Sequence, residues 1–85
     1  MQVEDTTVFR LQIVAETDPG ALVRTLQFFQ ARNLVPRQVS AQRVSASLFN
    51  IVIDVESASC TRETFSMIAA KLNELPIVLD VVVCD

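Results

Sequence analysis

The chain has 85 residues, of which 51% are apolar and 20% are charged, and its formal net charge is −3. This length predicts a single domain over residues 1–85, and the high apolar content excludes a disordered chain. Because histidine is absent, the sequence excludes a histidine-based catalytic triad and a zinc site with imidazole ligands. The mild acidity argues against a general nucleic-acid binder.

No segment of the sequence predicts export or insertion into a membrane. Apolar runs are at most four residues long, and residues 1–5 lack the basic and apolar regions of a secretory signal. We therefore expect a cytoplasmic protein with no membrane contact. Cys60 and Cys84 lie too far apart for a CxxC motif, and in this compartment two free thiols are favoured over a disulfide between them.

The first predicted elements are a strand and a helix. Residues 8–15 alternate between apolar and polar side chains, which predicts a half-buried strand. Asp18 is suited to the N-cap of a helix and Pro19 to its first helical position, which places Gly20 second. Asn33 tolerates the left-handed conformation of a helix end, so the helix is predicted to stop there. Its inner stripe is predicted to consist of Leu22, Thr25, Leu26 and Phe29.

Four further elements follow in the sequence. Residues 36–44 predict a polar edge strand with Val39 and Ala41 on one face, and residues 48–55 predict a strongly apolar strand. A second helix is predicted to begin near residues 59–61 and to end at Pro76, and residues 77–84 predict a last strand. The inner stripe of this helix is predicted to consist of Phe65, Ile68, Leu72 and Leu75.

The order strand, helix, strand, strand, helix, strand predicts the fold class. Two βαβ units joined in this way form an α+β, ferredoxin-like βαββαβ sandwich. Its antiparallel sheet has the strand order 4-1-3-2, and both helices lie on one face of the sheet. This architecture hosts many functions, so the function has to be argued from the site.

Several functions of this architecture need residues that the sequence lacks. RNA recognition needs exposed aromatic residues on the central strands, and a metal carrier needs paired thiols in the first loop. An acyl-phosphate hydrolase needs an arginine in a glycine-rich loop. Glu16 and Asp18 are two acids that can act as a general acid and base, but a helix cap beside a solvated acid is favoured. We therefore predict no enzyme, no metal and no cofactor, and a carboxylate-dependent enzyme is the least favoured alternative.

The loop over residues 16–22 contains the single glycine of the chain, Gly20. The first backbone N–H groups of a helix lack internal partners, so a helix start can receive an anion such as the carboxylate of an amino acid. A glycine there lets a ligand or a second subunit approach the backbone closely. The alternative, that Gly20 relieves a tight turn without any ligand, has equal weight on the sequence alone.

The segment Pro19-Gly20-Ala21-Leu22, inside a βαββαβ chain of this length, resembles the start of the first helix in ACT domains, and the likeness covers residues 7–84. With Leu26, Phe29 and residues 31–34, it looks like the ACT domain of acetolactate synthase regulatory subunits, which belong to branched-chain amino acid biosynthesis. The resemblance implies a non-catalytic regulatory module that binds an amino acid at a subunit interface. It also implies a homodimer whose sheets join edge to edge, and a larger enzyme subunit as a partner.

The resemblance also implies a ligand site. Gly20, Ala21 and Leu22 match the helix start of the family, and Thr17 stands where asparagine is frequent. Asp18 completes the loop part of the expected site. Val35 stands where the family often has a polar residue, and its side chain cannot form a hydrogen bond. Val35 therefore leaves open a second function, a dimerisation or docking module without a ligand.

Two other features have alternative interpretations. Phe28 lies off the predicted inner stripe, so it is either an interface residue or a peripheral core residue. Four arginines lie between residues 24 and 43, and a solvated surface is favoured over a site for an acidic partner. These arginines are Arg24, Arg32, Arg37 and Arg43.

Overall fold

A computed structural model of the chain describes residues 7–84. Its elements are β1 (Val8–Glu16), α1 (Ala21–Gln30), β2 (Gln38–Arg43), β3 (Leu48–Glu56), α2 (Arg62–Leu72) and β4 (Val78–Cys84). The four strands form one antiparallel sheet in the order β2-β3-β1-β4, which is the predicted order 4-1-3-2 read from the other edge. The predicted ferredoxin-like fold is confirmed. Residues 1–5, for which no secretory signal is predicted, lie outside the described residues.

The core lies between the helices and one face of the sheet. The inward residues that the alternation in β1 predicts are all buried: Phe9, Leu11, Ile13 and Ala15. On β3 the alternation is also confirmed, with Ile51, Ile53 and Val55 fully buried and Phe49 half-buried at the start of the strand. Phe9 and Phe65 join the sheet to α2, with their ring centroids 5.3 Å apart. Within residues 7–84 no helix is both long and apolar enough to cross a membrane.

The predicted inner stripe of helix α1 is confirmed at Thr25 and Phe29, and the face that packs inward is shifted towards Ala21. Its buried residues are Ala21, Thr25 and Phe29, whereas Leu22 and Leu26 are only half-buried. The small side chains of Ala21 and Thr25 fit between the helix and the sheet. The Thr25 hydroxyl donates a hydrogen bond of 2.8 Å to the carbonyl oxygen of Ala21, so its burial leaves no polar atom unsatisfied.

The end of α1 confirms the role that the sequence predicts for Asn33. The helix itself ends at Gln30, and the chain leaves it through a Schellman motif. The amide of Leu34 donates to the carbonyl oxygen of Phe29 at 2.9 Å, and the amide of Asn33 donates to that of Gln30 at 3.0 Å. Asn33 has φ 59°, so it stands in the left-handed position that most often holds glycine.

Helix α2 begins as predicted but ends earlier than Pro76. Thr61 is its N-cap, and its inner stripe contains the predicted Phe65, Ile68 and Leu72, with Ala69 added. The helix stops at Leu72 because tighter i to i−3 bonds follow, from Glu74 to Lys71 and from Leu75 to Leu72. A residue before proline disfavours the helical conformation, which explains why regular helix does not reach Pro76. Leu75 is half-buried.

Strand β2 is the exposed edge that its composition predicts. It pairs with β3, and all six of its residues are exposed. Val39 and Ala41 lie on the helix side of the sheet, opposite Ile53 and Ile51, yet neither is covered. The helix side of β2 is therefore an uncovered apolar strip next to α1.

An ion pair joins β1 and β3 on the sheet face opposite the helices. Arg10 and Asp54 are direct cross-strand partners, and the Arg10 guanidinium donates to both carboxylate oxygens at 2.7 and 2.9 Å. The Asp54 side chain is only 9% exposed. The hydrogen bonds from Arg10 hold the pKa of Asp54 below its usual range, and the same bonds raise the pKa of Arg10.

The structure shows the state of the two cysteines and the surroundings of Phe28. Cys60 and Cys84 are both free thiols and half-buried, as the sequence favours, and burial raises the pKa of the Cys60 thiol. Phe28 is half-buried and packs against the core, so it is a peripheral core residue.

Candidate functional site

The loop between β1 and α1, residues 17–20, is organised by Asp18. The carboxylate of Asp18 accepts a hydrogen bond of 2.7 Å from the amide of Gly20, and its carbonyl oxygen accepts one of 3.0 Å from the amide of Ala21. The N-cap is therefore Gly20, and the predicted placement of Asp18 as N-cap and Pro19 as first helical residue is wrong. An aspartate readily bonds the backbone two residues further on, and this turn keeps Pro19 outside the helix.

Gly20 does not provide an unusual backbone conformation. Its φ of −89° and ψ of −4° are accessible to other residues, so the turn does not require glycine for its shape. A Cβ atom at Gly20 would lie 3.2 Å from the Asp18 carboxylate and 3.7 Å from Nε of Arg24. The missing side chain therefore leaves space between these two charged groups, at the surface of the helix start.

Two backbone amides at this helix start have no partner within residues 7–84. Four N–H groups at the start of an α-helix lack partners inside the helix, and Asp18 satisfies those of Gly20 and Ala21. The amides of Leu22 and Val23 have none. Together with the positive end of the helix dipole they favour a negatively charged group at this position.

A depression of about 380 Å³ lies beside this helix start. It is lined by Thr17, Asp18, Pro19, Leu22 and Phe49. Leu22 and Phe49 give it an apolar wall, whereas Thr17 and Asp18 give it a hydroxyl and a carboxylate. A small molecule that is charged at one end and apolar at the other matches this combination.

The structure brings together some of the predicted site residues and separates others. Thr17, Asp18 and Leu22 line the same depression, and Gly20 forms the adjacent helix start. Ala21 follows Gly20, and its side chain is 1% exposed and belongs to the core. Val35, which is 82% exposed, lies in a separate depression.

This second depression lies at the other end of α1. It has a volume of about 300 Å³ and is mostly apolar, with Leu26, Phe29, Leu34 and Val35 in its lining. Within one copy of the chain, Val35 and the first loop therefore do not form one cavity.

Phe49 is a lining residue that the sequence analysis misses. It lies at the start of β3, directly opposite Ala15 at the end of β1, and so below the first loop. The alternation places Phe49 on the helix side of β3 but does not say which loop lies above it. A register of β1 against β3 provides that information, and periodicity alone does not define a register.

Glu16 and Asp18 place two carboxylates at the first loop. Within the part of the chain that the structure describes, no group of three metal-ligating side chains comes together. Both residues are exposed, and one oxygen of Asp18 is engaged by the Gly20 amide.

Comparison with known families gives a match over almost the whole chain. The sequence profile described as "ACT-like domain" matches residues 2–85. No curated protein gives a significant match.

Solved structures with the same fold include parts of three different proteins. The ACT domain of a GTP pyrophosphokinase from Chlorobium tepidum is 13% identical, with a TM-score of 0.75 over 93% of this chain and 99% of that one. The C-terminal domain of the MgtC protein from Mycobacterium tuberculosis is 12% identical, with a TM-score of 0.75 over 99% and 92%. The regulatory subunit of aspartate kinase from Thermus thermophilus is 12% identical, with a TM-score of 0.71 over 94% of this chain and 52% of that one.

Proposed function

The chain belongs to the ACT-like domain family, and on this basis we propose that residues 1–85 act as one non-catalytic regulatory module that binds an amino acid at a subunit interface. ACT domains are small regulatory modules that bind amino acids and are generally non-catalytic, and a regulatory subunit of aspartate kinase has this fold. The single observation that supports the proposal best is the helix start at Gly20, where two unpartnered amides adjoin a depression with an apolar wall.

The lining of this depression defines the class of amino acid. In our proposal the ligand carboxylate accepts hydrogen bonds from the amides of Leu22 and Val23, as an anion does at a helix N-terminus. The ammonium group lies at the Asp18 carboxylate, whose second oxygen faces no partner within residues 7–84. The ligand side chain packs on Leu22 and Phe49, which favours an amino acid with an apolar side chain.

The subunit interface in the proposal is the edge strand β2. No strand within residues 7–84 pairs with its outer edge, so its backbone groups there can pair with the same strand of a second copy and join two sheets into one. Val39, 39% exposed, and Val35, 82% exposed, lie on this side of the molecule and would lose their solvent contact in such a dimer. In such a dimer the second copy would close the open side of the depression beside the start of α1.

The regulated enzyme is proposed from the residues that resemble acetolactate synthase regulatory subunits. The candidate partner is the large subunit of such a synthase, in branched-chain amino acid biosynthesis. This choice is supported by the resemblance of Pro19-Gly20-Ala21-Leu22 and of residues 31–34. This partner would place the module in the cytoplasm. Co-purification of the two chains, and a change in the activity of the synthase on addition of this chain, test the assignment.

Calorimetric titration of the protein with each of the twenty amino acids tests ligand binding. We expect heat from a small set with apolar side chains and none from charged ones. Gly20→Asp should abolish this heat, because it places a negative charge between Asp18 and Arg24, where the ligand carboxylate would approach. Ala58→Asp, which adds the same charge to an exposed turn after β3, is the matched control and should bind as the wild type does.

Neither heat nor a shift in melting temperature with any amino acid would contradict the ligand proposal. Dimerisation is tested separately, by sedimentation equilibrium of the wild type and of Val39→Asp. We expect the variant to dissociate, whereas Gln12→Asp on the opposite sheet face should leave the dimer unchanged. A monomeric wild type would contradict the interface.

One observation favours a second function, a dimerisation or docking module without a ligand. The Asp18 carboxylate accepts the Gly20 amide, so a residue of the loop itself occupies one of the groups that a ligand would otherwise bind. This function predicts that no amino acid binds, that the dimer forms in ligand-free buffer and that Gly20→Asp leaves the dimer intact. The titration and the sedimentation measurements above distinguish the two functions.

A further inference from the structure

The turn between β2 and β3, residues 44–48, contacts the first loop. We propose that Ser45 in this turn is a positioning residue for the amino-acid site and that it acts through Thr17. This inference rests on the proposed function, because the loop that Ser45 positions is the proposed ligand loop. Ser45 itself does not line the depression beside α1.

The turn is organised by the hydroxyl group of Ser45. The Ser45 oxygen Oγ accepts hydrogen bonds from the amides of Ser47 at 3.2 Å and of Leu48 at 3.1 Å. The amides of Val44 and Ser45 both donate to the carbonyl oxygen of Leu48, at 2.9 and 3.2 Å. The loop between Val44 and Leu48 has three residues, 45–47, and Ser45 organises it by bonding the backbone two and three residues further on.

The same turn holds Thr17 at two points. The Thr17 amide donates a hydrogen bond of 3.1 Å to the carbonyl oxygen of Ser47. The Thr17 hydroxyl donates a longer one, of 3.4 Å, to the carbonyl oxygen of Ser45. Nε of Arg43, at the end of β2, donates to that same oxygen at 3.2 Å, so the acceptor is fixed from the sheet as well.

The position of these bonds explains why they matter for the site. The ladder between β1 and β3 ends at the pair Glu16 and Leu48, and Thr17 is the next residue of the chain. Asp18, whose carboxylate accepts the Gly20 amide, follows Thr17 directly. The place of the Asp18 carboxylate relative to α1 therefore depends on where the turn holds Thr17.

Hydrogen exchange and calorimetry on Ser45→Ala test this role. Without the hydroxyl, the amides of Ser47 and Leu48 lose their acceptor and the carbonyl oxygen of Ser47 is no longer fixed. We expect the amides of Thr17 and Gly20 to exchange at least about threefold faster, as the loss of one modest hydrogen bond predicts. The affinity for the amino acid that the wild type binds should fall by a similar factor. Ser40→Ala, an exposed serine in β2, is the matched control.

Two further variants, Ser45→Thr and Arg43→Gln, sharpen the test. Ser45→Thr keeps the hydroxyl and should restore both the exchange rates and the affinity. Arg43→Gln, which removes the second donor to the Ser45 carbonyl oxygen, should accelerate exchange at Thr17 to a smaller extent and allows the test if Ser45→Ala does not fold. Exchange at Thr17 and Gly20 that is unchanged in both variants, or no rescue by threonine, would overturn the inference. If the wild type binds no amino acid, the proposed function fails, while the exchange rates still decide the role of Ser45.

Discussion

The two βαβ halves of the molecule share one topology but differ at the start of their helices. In the second half, Thr61 caps α2 with its own hydroxyl, which accepts the amide of Thr64 at 3.0 Å, and Glu63 lies in the first turn. In the first half, α1 has no side-chain cap at Gly20 and no acid in its first turn. The start of α2 therefore carries a side-chain cap and a negative charge of its own, whereas the first turn of α1 carries neither, so an external anion is favoured at α1 rather than at α2.

The halves also differ in how well their strands are covered. Helix α2 buries Phe65, Ile68, Ala69 and Leu72, and the strand that follows it has Val78 buried. Helix α1 buries three residues, and every residue of the strand β2 that follows it is exposed. The second half thus provides most of the helix packing of the core, and the first half provides the surfaces available for a ligand and for another subunit.

The largest effect should come from removing an aromatic residue of the second half. Phe65→Ala leaves a cavity where a fully buried ring now packs on Phe9, and we expect a loss of about 3–5 kcal/mol in the free energy of unfolding. Phe28→Ala, on the half-buried side of α1, should cost clearly less. Urea denaturation measures both, and equal losses would contradict the difference in packing between the halves.

The ion pair that joins the halves should make stability depend on pH. The folded-state pKa of Asp54 lies below its unfolded value of about 3.9, so the pair stabilises the fold above that pH and its contribution is lost as the pH falls through the folded pKa. Between about pH 5 and pH 3 the free energy of unfolding of the wild type should therefore fall more steeply than that of Asp54→Asn.

Arg10→Gln is the matched variant for this measurement. It removes the donor of both hydrogen bonds to Asp54 and should flatten the same part of the pH profile. A profile as steep as that of the wild type in either variant would mean that other carboxylates cause the acid sensitivity.

The helix cap of the second half should have a smaller effect. Thr61→Ala removes the acceptor of the Thr64 amide and should lower the free energy of unfolding by about 1 kcal/mol. Thr61→Ser keeps the hydroxyl and should stay close to the wild type. Thermal denaturation of the three proteins measures the difference, and the absence of any loss in Thr61→Ala would mean that water replaces the cap without cost.

The smallest effect on stability should come from Gly20→Ala in the first half. The backbone there suits alanine, but the new Cβ would press on the Asp18 carboxylate, so the two effects nearly cancel and the change should stay below about 1 kcal/mol. Amino-acid binding, measured by calorimetry, should nevertheless weaken. A large loss of stability with intact binding would mean that Gly20 serves the stability of the fold and not the binding of a ligand.

The fold was predictable because each element repeats its own signal several times. Alternation over β1 and β3 identifies two strands and their buried faces, and three apolar positions, Phe65, Ile68 and Leu72, identify the inner stripe of α2. The side of α1 was not predictable in the same way. Two adjacent lines of residues, one with Leu22 and Leu26 and one with Ala21 and Thr25, both fit a helical period, and hydrophobicity alone favours the leucines.

The candidate site was predictable only where it is local in sequence. Gly20 and its neighbours are recognisable because a helix start is formed by consecutive residues. Phe49 and Ser45 join the site from residues that are about thirty positions away, through the register of β3 against β1. Local patterns do not contain a register, because a shift by one residue preserves the alternation while it exchanges the two faces.

The sequence by itself determined the order of the elements, the buried faces of the central strands, the polar edge strand and the left-handed end of α1 at Asn33. These properties follow from residues that are close in the chain. Only the tertiary structure decided that Phe49 lies beside the first loop, that Val35 lies away from it and that the hairpin turn holds Thr17. The physical reason is that these arrangements depend on how α1 and the strands pack against one another, and packing selects among local conformations of similar free energy.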